Sequence, residues 1–324
     1  MAKVHFLNVK QGDCTIIQHN SGRVSLIDVC CGNLTPQEAA IGTLMKALTH
    51  SKGNYRMCQS PTEPISYLKS LQVTELWRFI LTHPDMDHMD GFENLIKSLT
   101  LHNFWDSGAR KEKPDFEGSP YNEDDWDTYV KVRGGKAGTN SLLKQAGAKF
   151  KYANKPDEQG GSHDGLYIVA PSKGLMDNAN ESEDFNDASY VIVYWTTDQR
   201  IVIPGDAHDG SWEYALKNHS DLLKNCSILL APHHGRHSDA NFEFLDTLKP
   251  KFTLLGCAPS EDLAYNAWRN RNLFYLTKNQ TGNVIIETRE KSLAIYIENQ
   301  RYAEDNGCDT TITNSQGYYY IGTL

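Results

Sequence analysis

Thr82-His83-Pro84-Asp85-Met86-Asp87-His88 follows directly on Leu76-Trp77-Arg78-Phe79-Ile80-Leu81. The apolar run reads as a short buried strand, and the polar cluster begins where that strand ends. In an extended loop His83, Asp85 and Asp87 fall to one side, while the start of the next helix pulls His88 round. Imidazole suits Zn, Mn or Fe, and carboxylates shift the preference toward harder ions such as Mn. The turn therefore reads as offering ligands to two adjacent cations, His83 and Asp85 to one, Asp87 and His88 to the other. A solvated, charged turn is the competing reading. The spacing H-x-D-x-D-H behind a strand argues against it.

Two further strand ends supply similar groups. Ile201-Val202-Ile203-Pro204 runs into Gly205-Asp206, and Ile228-Leu229-Leu230-Ala231-Pro232 runs into His233-His234-Gly235. Alone, Asp206 would pass as a turn or cap residue and the histidine pair as a surface loop. With the first cluster they complete what a dinuclear site needs: a carboxylate bridging two cations about 3.5–4 Å apart, and one more imidazole.

Outward from these segments, strand and helix patterns alternate. Lys3–Val9 and Thr15–Gln18 form a hairpin about Gln11-Gly12-Asp13, and Val24–Val29 is a short buried strand containing Asp28. Leu34–His50, Ser60–Leu71 and Phe92–Leu99 carry helical spacing. Strand patterns resume at Leu166–Ala170, Tyr190–Trp195, Phe252–Gly256, Val284–Glu287 and Leu293–Ile297. This order predicts a layered α/β fold with polar groups gathered at strand ends. Residues 106–165 read as an insertion or lid, with helical turns near Trp126–Val132 and Asn140–Ala146. Residues 1–300 then form one domain, followed by a 301–324 tail that packs as an extra strand or stays loose.

The chain has 324 residues and a formal net charge of −9, which disfavours wholesale coating of nucleic acid but leaves room for a local basic groove. Its longest apolar runs, such as Tyr190–Trp195, are too short to cross a membrane. Seven cysteines without framework spacing fit a reducing compartment, so a cytoplasmic protein with buried thiols at Cys30-Cys31 is expected. Gly-x-Ser-x-Gly, P-loop and dinucleotide-binding patterns are absent.

In motif order the chain resembles the metallo-β-lactamase superfamily, specifically the branch typified by the C-terminal hydrolase domain of the DNA-uptake protein ComEC. Val9-Lys10-Gln11-Gly12-Asp13, Leu26-Ile27-Asp28, Thr82–His88, Asn186-Asp187-Ala188-Ser189, Gly205-Asp206 and His233-His234-Gly235 follow one another as in that branch. The resemblance implies an αββα four-layer sandwich with the metals in a groove at one edge of the two sheets. It implies His83 and Asp85 as ligands of one metal, and Asp87, His88 and His234 as ligands of the other, with Asp206 bridging. His234 is preferred to His233 because it immediately precedes a glycine; His233 is the alternative ligand, or else holds that loop. Asp28 is expected to orient the ligand turn by hydrogen bonding. Asp85 and Asn186 stand where many members carry histidine, so the first metal is expected to be weakly held. Arg236 replaces a serine, where a guanidinium can grip a phosphate in a bidentate fashion.

The expected reaction is hydrolysis by a metal-bridging hydroxide, with Asp87 and Asp206 carrying the chemistry and two divalent ions, Zn or Mn, as cofactors. A nuclease or other phosphodiesterase acting on DNA or RNA is the first reading. Basic stretches at Arg110-Lys111-Glu112-Lys113 and Lys131–Lys136 are placed to reach over the groove. A hydrolase of a small phosphoester, lactone or thioester is the second, and a non-catalytic, metal-stabilised subunit of a larger assembly the third.

Overall fold

The computed structural model describes residues 1–35, 37–38, 40–43, 54–156, 163–196, 198–238 and 240–324. Of the helix read over 34–50, residues 37–38 and 40–43 are helical, and 36, 39 and 44–50 lie outside the described residues. In chain order the strands are β1 (Lys3–Phe6), β2 (Thr15–Gln18), β3 (Val24–Ile27), β4 (Glu75–Ile80), β5 (Thr100–Asp106), β6 (Asn140–Leu143), β7 (Leu166–Ala170) and β8 (Val191–Thr196). They continue with β9 (Gln199–Ile203), β10 (Cys226–Leu230), β11 (Phe252–Leu255), β12 (Tyr275–Thr277), β13 (Val284–Thr288), β14 (Leu293–Ile297) and β15 (Tyr319–Thr323). Among the described residues they form a nine-stranded sheet, β15-β14-β13-β1-β2-β3-β4-β5-β6, and a six-stranded sheet, β12-β11-β10-β9-β8-β7.

Side-chain alternation along the strands separates the layers. Ile27, Ile80, Ile203 and Ile228 point into one core shared by both sheets, together with Val4, Phe6, Ile192 and Leu254. Their neighbours Leu26 and Phe79 face the other way, under α1 (Pro64–Ser70), α2 (Phe92–Ser98) and α3 (Glu123–Arg133), through Leu68, Phe92, Trp126 and Tyr129. Val202 and Leu229 face outward from the second sheet, against Trp212 of α5 (Asp209–Leu223), Phe244 of α6 (Phe244–Leu248) and Trp268 of α7 (Tyr265–Arg269). Helix α4 (Lys173–Ser182) joins β7 to β8. Helix, sheet, sheet, helix is the four-layer order. β3, β4 and β5 are parallel, as are β9, β10 and β11. Strands covered on both faces read as apolar on successive residues, which is why Phe79-Ile80-Leu81 and Ile228-Leu229-Leu230 lack alternation in sequence.

Part of 106–165 is built into this scaffold. Helix α3 covers the outer face of the large sheet, and β6 extends it by pairing in parallel with β5. Asn140–Leu143 is thus strand where helical turns were expected: pairing along an open sheet edge outweighs local spacing. Residues 107–122 carry neither helix nor strand. The tail contributes helix α9 (Gln300–Asp305; α8 is Lys278–Thr281) and the edge strand β15, paired with β14.

Cysteine usage needs correcting. Cys58 and Cys257 form a disulfide spanning 199 residues of sequence, while Cys14, Cys30, Cys31, Cys226 and Cys308 are free. An odd total with irregular spacing leaves room for one pair, and adjacency in the fold decides it. No helix among the described residues is long and apolar enough to cross a membrane.

Candidate metal centre

The polar strand ends meet at one edge of the two sheets. Parallel neighbours end at the same level, so the turns after β3, β4, β9 and β10 are brought together without long connections. Asp28, just past β3, takes a left-handed backbone with φ of 55°. Its Oδ1 accepts from Thr82 N at 2.7 Å, and its Oδ2 accepts from Thr82 Oγ1 at 2.7 Å and contacts His88 Nδ1 at 2.8 Å. Past β9, Gly205 brings its backbone against Thr82, where a Cβ would lie 2.7 Å from Thr82 Cβ. His233 and His234 are consecutive left-handed residues with φ of 49° and 56°, an uncommon conformation for side-chain-bearing residues and one that concentrates at functional sites.

His83, His88, His234 and Asp206 are buried. Asp206 Oδ1 lies 3.3 Å from His88 Nε2, and its Oδ2 lies 3.4 Å from His234 Nε2 and 3.9 Å from His83 Nε2. Asp87 Oδ2 is 3.4 Å from His234 Nε2. His83, His88 and Asp206 form one convergent triplet, and Asp87, His88 and His234 another. His83 Nε2, His88 Nε2, His234 Nε2 and Asp206 Oδ1 are all buried without a hydrogen-bond partner. Unpartnered buried polar atoms are costly, and four aimed at one another form a donor set that a divalent cation satisfies. The residues fit a metal.

Charge balance has a similar form. Burial alone would raise the pKa of Asp206, but His234 and His88 hold it well below the usual carboxylate range. Burial would lower that of His88, yet Asp206, Asp28 and Asp87 together push it well up. His234 is pushed up likewise, against burial, by Asp206 and Asp13.

Other residues singled out in the sequence sit further out. Asp85 is on the rim: its Oδ2 is 3.7 Å from His83 Nε2, while its Oδ1 pairs with Lys111 Nζ, and it belongs to neither triplet. His233 Nε2 is 3.8 Å from Asp206 Oδ2, and its Nδ1 is 3.3 Å from His208 Nε2. His234 is the more enclosed of the pair, and its Nε2 faces two carboxylates. Arg236 is half-buried beside His233, with its Nε enclosed and unpartnered. Among the described residues, the Asn186 side chain makes no hydrogen bond to this cluster. Cys30 and Cys31 are buried thiols with sulfurs 3.9 Å apart.

The roles of three residues at the site, Asp13, Lys278 and Lys111, were not read from the sequence. Asp13, at the β1–β2 hairpin, holds His234 Nδ1 at 3.1 Å and pairs with the buried Lys278 at 2.8 Å. Burial would raise its pKa, but Lys278 and His234 hold it below the usual range. Gln11-Gly12-Asp13 was visible as a motif, but as a turn. Lys278 had no local signal, since its partner lies 265 residues away, and Lys111 was visible within a basic stretch but its pairing with Asp85 was not.

No protein-family model matches the chain, and no curated protein matches it. Solved structures with a similar chain course include Igni18, a metallo hydrolase from the archaeon Ignicoccus hospitalis, at 12% identity and a TM-score of 0.47, covering 89% of this chain and 100% of that one. Tm1679, a metal-dependent hydrolase of the β-lactamase superfamily, aligns at 10% identity and a TM-score of 0.48, covering 86% and 96%. YhfI from Bacillus subtilis, a metallo-β-lactamase fold protein, aligns at 12% identity and a TM-score of 0.43, covering 85% and 95%. Side chains in proteins this distant say nothing about those of this chain, so its chemistry has to come from its own donors.

Proposed function

We propose that this chain is a metal-dependent hydrolase that cleaves phosphodiester bonds, with DNA or RNA as the favoured substrate class. The observation that carries the reading is the convergence of four unpartnered buried donor atoms, His83 Nε2, His88 Nε2, His234 Nε2 and Asp206 Oδ1, at one sheet edge. The motif order shared with the DNA-uptake branch of the metallo-β-lactamase superfamily supports it.

In this reading Asp87, His88 and His234 would hold one divalent cation, zinc or manganese. His83 and Asp206 would hold a second, with Asp85 beside His83. Such cations supply Lewis acidity and lower the pKa of bound water toward neutrality. The chain's own residues do the rest. Asp28 fixes the His88 ring through Nδ1, and Asp13 does the same for His234, so that in the neutral ring Nε2 keeps its lone pair for the site. Asp87, more exposed than the imidazoles, stands on the open side of the cluster, where its carboxylate would accept a proton from bound water. Arg236 is placed to steady a substrate oxygen from the loop after β10.

A small phosphoester is the second reading. It is favoured by the acidic whole-chain balance, since a net charge of −9 repels a long polyanion. Metal analysis and hydrolysis assays test both. Manganese- or zinc-loaded chain should bind metal and cut plasmid or single-stranded DNA. Asp87→Ala and His88→Ala should lose metal and reduce the rate by roughly a hundredfold or more. Turnover of a small chromogenic phosphodiester with every nucleic acid left intact would move the assignment to the second reading. A folded chain that takes up no metal would end it.

A further inference from the structure

We propose that Lys111 is the residue that grips a non-reacting anionic oxygen of the substrate at the mouth of the metal centre, which narrows the substrate to a charged phosphoester. The inference rests on the hydrolase reading above. Lys111 comes from residues 107–122, which lack regular structure, yet its position is built rather than incidental. Ala109 is buried in a small apolar cluster with Met176, Ala179 and Phe185. Arg110 N donates to Asn180 Oδ1 at 2.6 Å, and Asn180 Nδ2 donates to Gly108 O at 3.2 Å, pinning the segment to α4 on both sides of Ala109. The ammonium then lies 5.9 Å from the Phe185 ring and on Asp85 Oδ1.

Asp85 is divided between two neighbours. Its Oδ2 faces His83, and its Oδ1 faces Lys111. The lysine therefore stands just outside the donor set, on the solvent side of the carboxylate that leans into it. Both side chains are about 30% exposed (29% and 31%), so the ammonium has hydrogen-bonding capacity left and an open side on which to use it. Asp85 and Asp87 are the partly exposed carboxylates of the cluster, and on that open side Lys111 is the side-chain cation that an anionic substrate oxygen would meet. Lys111 and Arg236 are cationic side chains on two different loops beside the donor set, the first on Asp85 and the second directly after His233-His234-Gly235. An uncharged lactone or thioester has no group that needs them.

Inorganic phosphate, titrated calorimetrically into metal-loaded wild type, Lys111→Met and Lys111→Arg, tests this alongside metal content. Phosphate should bind wild type, bind Lys111→Met about tenfold or more weakly, and be largely recovered in Lys111→Arg, with metal content equal in all three. In turnover the Met variant should raise KM for a chromogenic phosphodiester more than it lowers kcat. Equal phosphate affinity in metal-loaded wild type and Lys111→Met overturns the inference alone, as does a loss that follows loss of metal. Absence of metal from the wild-type chain overturns the hydrolase reading and this inference with it.

Discussion

Asp13 gives one carboxylate oxygen to Lys278 and the other to His234, and all three side chains are buried. Breaking such a group from one end is worse than never having had it, because the remaining charge is left enclosed and unpaired. Lys278→Met should therefore destabilise the protein by about 3–5 kcal/mol in urea unfolding. Adding Asp13→Asn should recover much of that loss, since an amide oxygen still accepts from His234 Nδ1 while carrying no charge. No recovery in the double variant would mean that Lys278 acts through packing. These partners also mark what a sequence can reveal at this scale. His83, Asp87, His88, Asp206 and His234 were legible because each stands directly behind an apolar strand. Lys278 was not, because its partner is 265 residues away and it lies in a short polar helix like any surface lysine. Asp85 shows what spacing leaves out: one oxygen lies 3.7 Å from His83 Nε2 as a ligand's would, while the other pairs with a lysine on a neighbouring loop.

The tip of the first hairpin touches the ligand-bearing turn backbone to backbone. A Cβ on Gly12 would lie 1.7 Å from Asp87 O, so the small residue is required by the approach of two elements. Gly12→Ala should push the turn outward and cost roughly 1–3 kcal/mol of stability. Displacement of Asp87 by even an ångström should also lower activity by up to about a hundredfold. Metal titration and urea unfolding of the same variant would separate the two effects, and unchanged values in both would show that the hairpin yields freely. Elements were the best-read level. β7 and β14 have the bounds expected from sequence, and the apolar runs that became β4 and β10 were evident. β5 and β6 were missed because Thr100–Asp106 mixes polar and aromatic residues and Asn140–Leu143 is a half-exposed edge; neighbouring strands, rather than local composition, make them strands.

Across the whole molecule, two histidines among the described residues, His5 and His19, are buried away from the candidate metal centre. Desolvation lowers the pKa of His5 to about 4 and that of His19 to about 3, so both are neutral in the fold. In the unfolded chain each takes a proton near pH 6.5. Their contribution to stability is complete above that value and is lost as pH falls toward 4, by about 3 kcal/mol for His5. Urea midpoints should therefore begin to drop below pH 6.5, before carboxylates titrate, and His5→Gln should flatten the decline. A midpoint constant from pH 7 to 4.5 would show that these rings are solvated. The same large sheet has one further property. Its first strand, Lys3–Phe6, pairs with Val284–Glu287, so the middle of the sheet is closed by residues from opposite ends of the sequence. Contacts that distant form slowly, since a long loop must be closed before they are rewarded. On a ribosome the turn at 82–88 emerges early, while the partners of Asp13 and of the first strand are still unmade. A nascent chain would then carry a bare strand edge and imidazoles without their carboxylate partners until the last strands of the sheet are made.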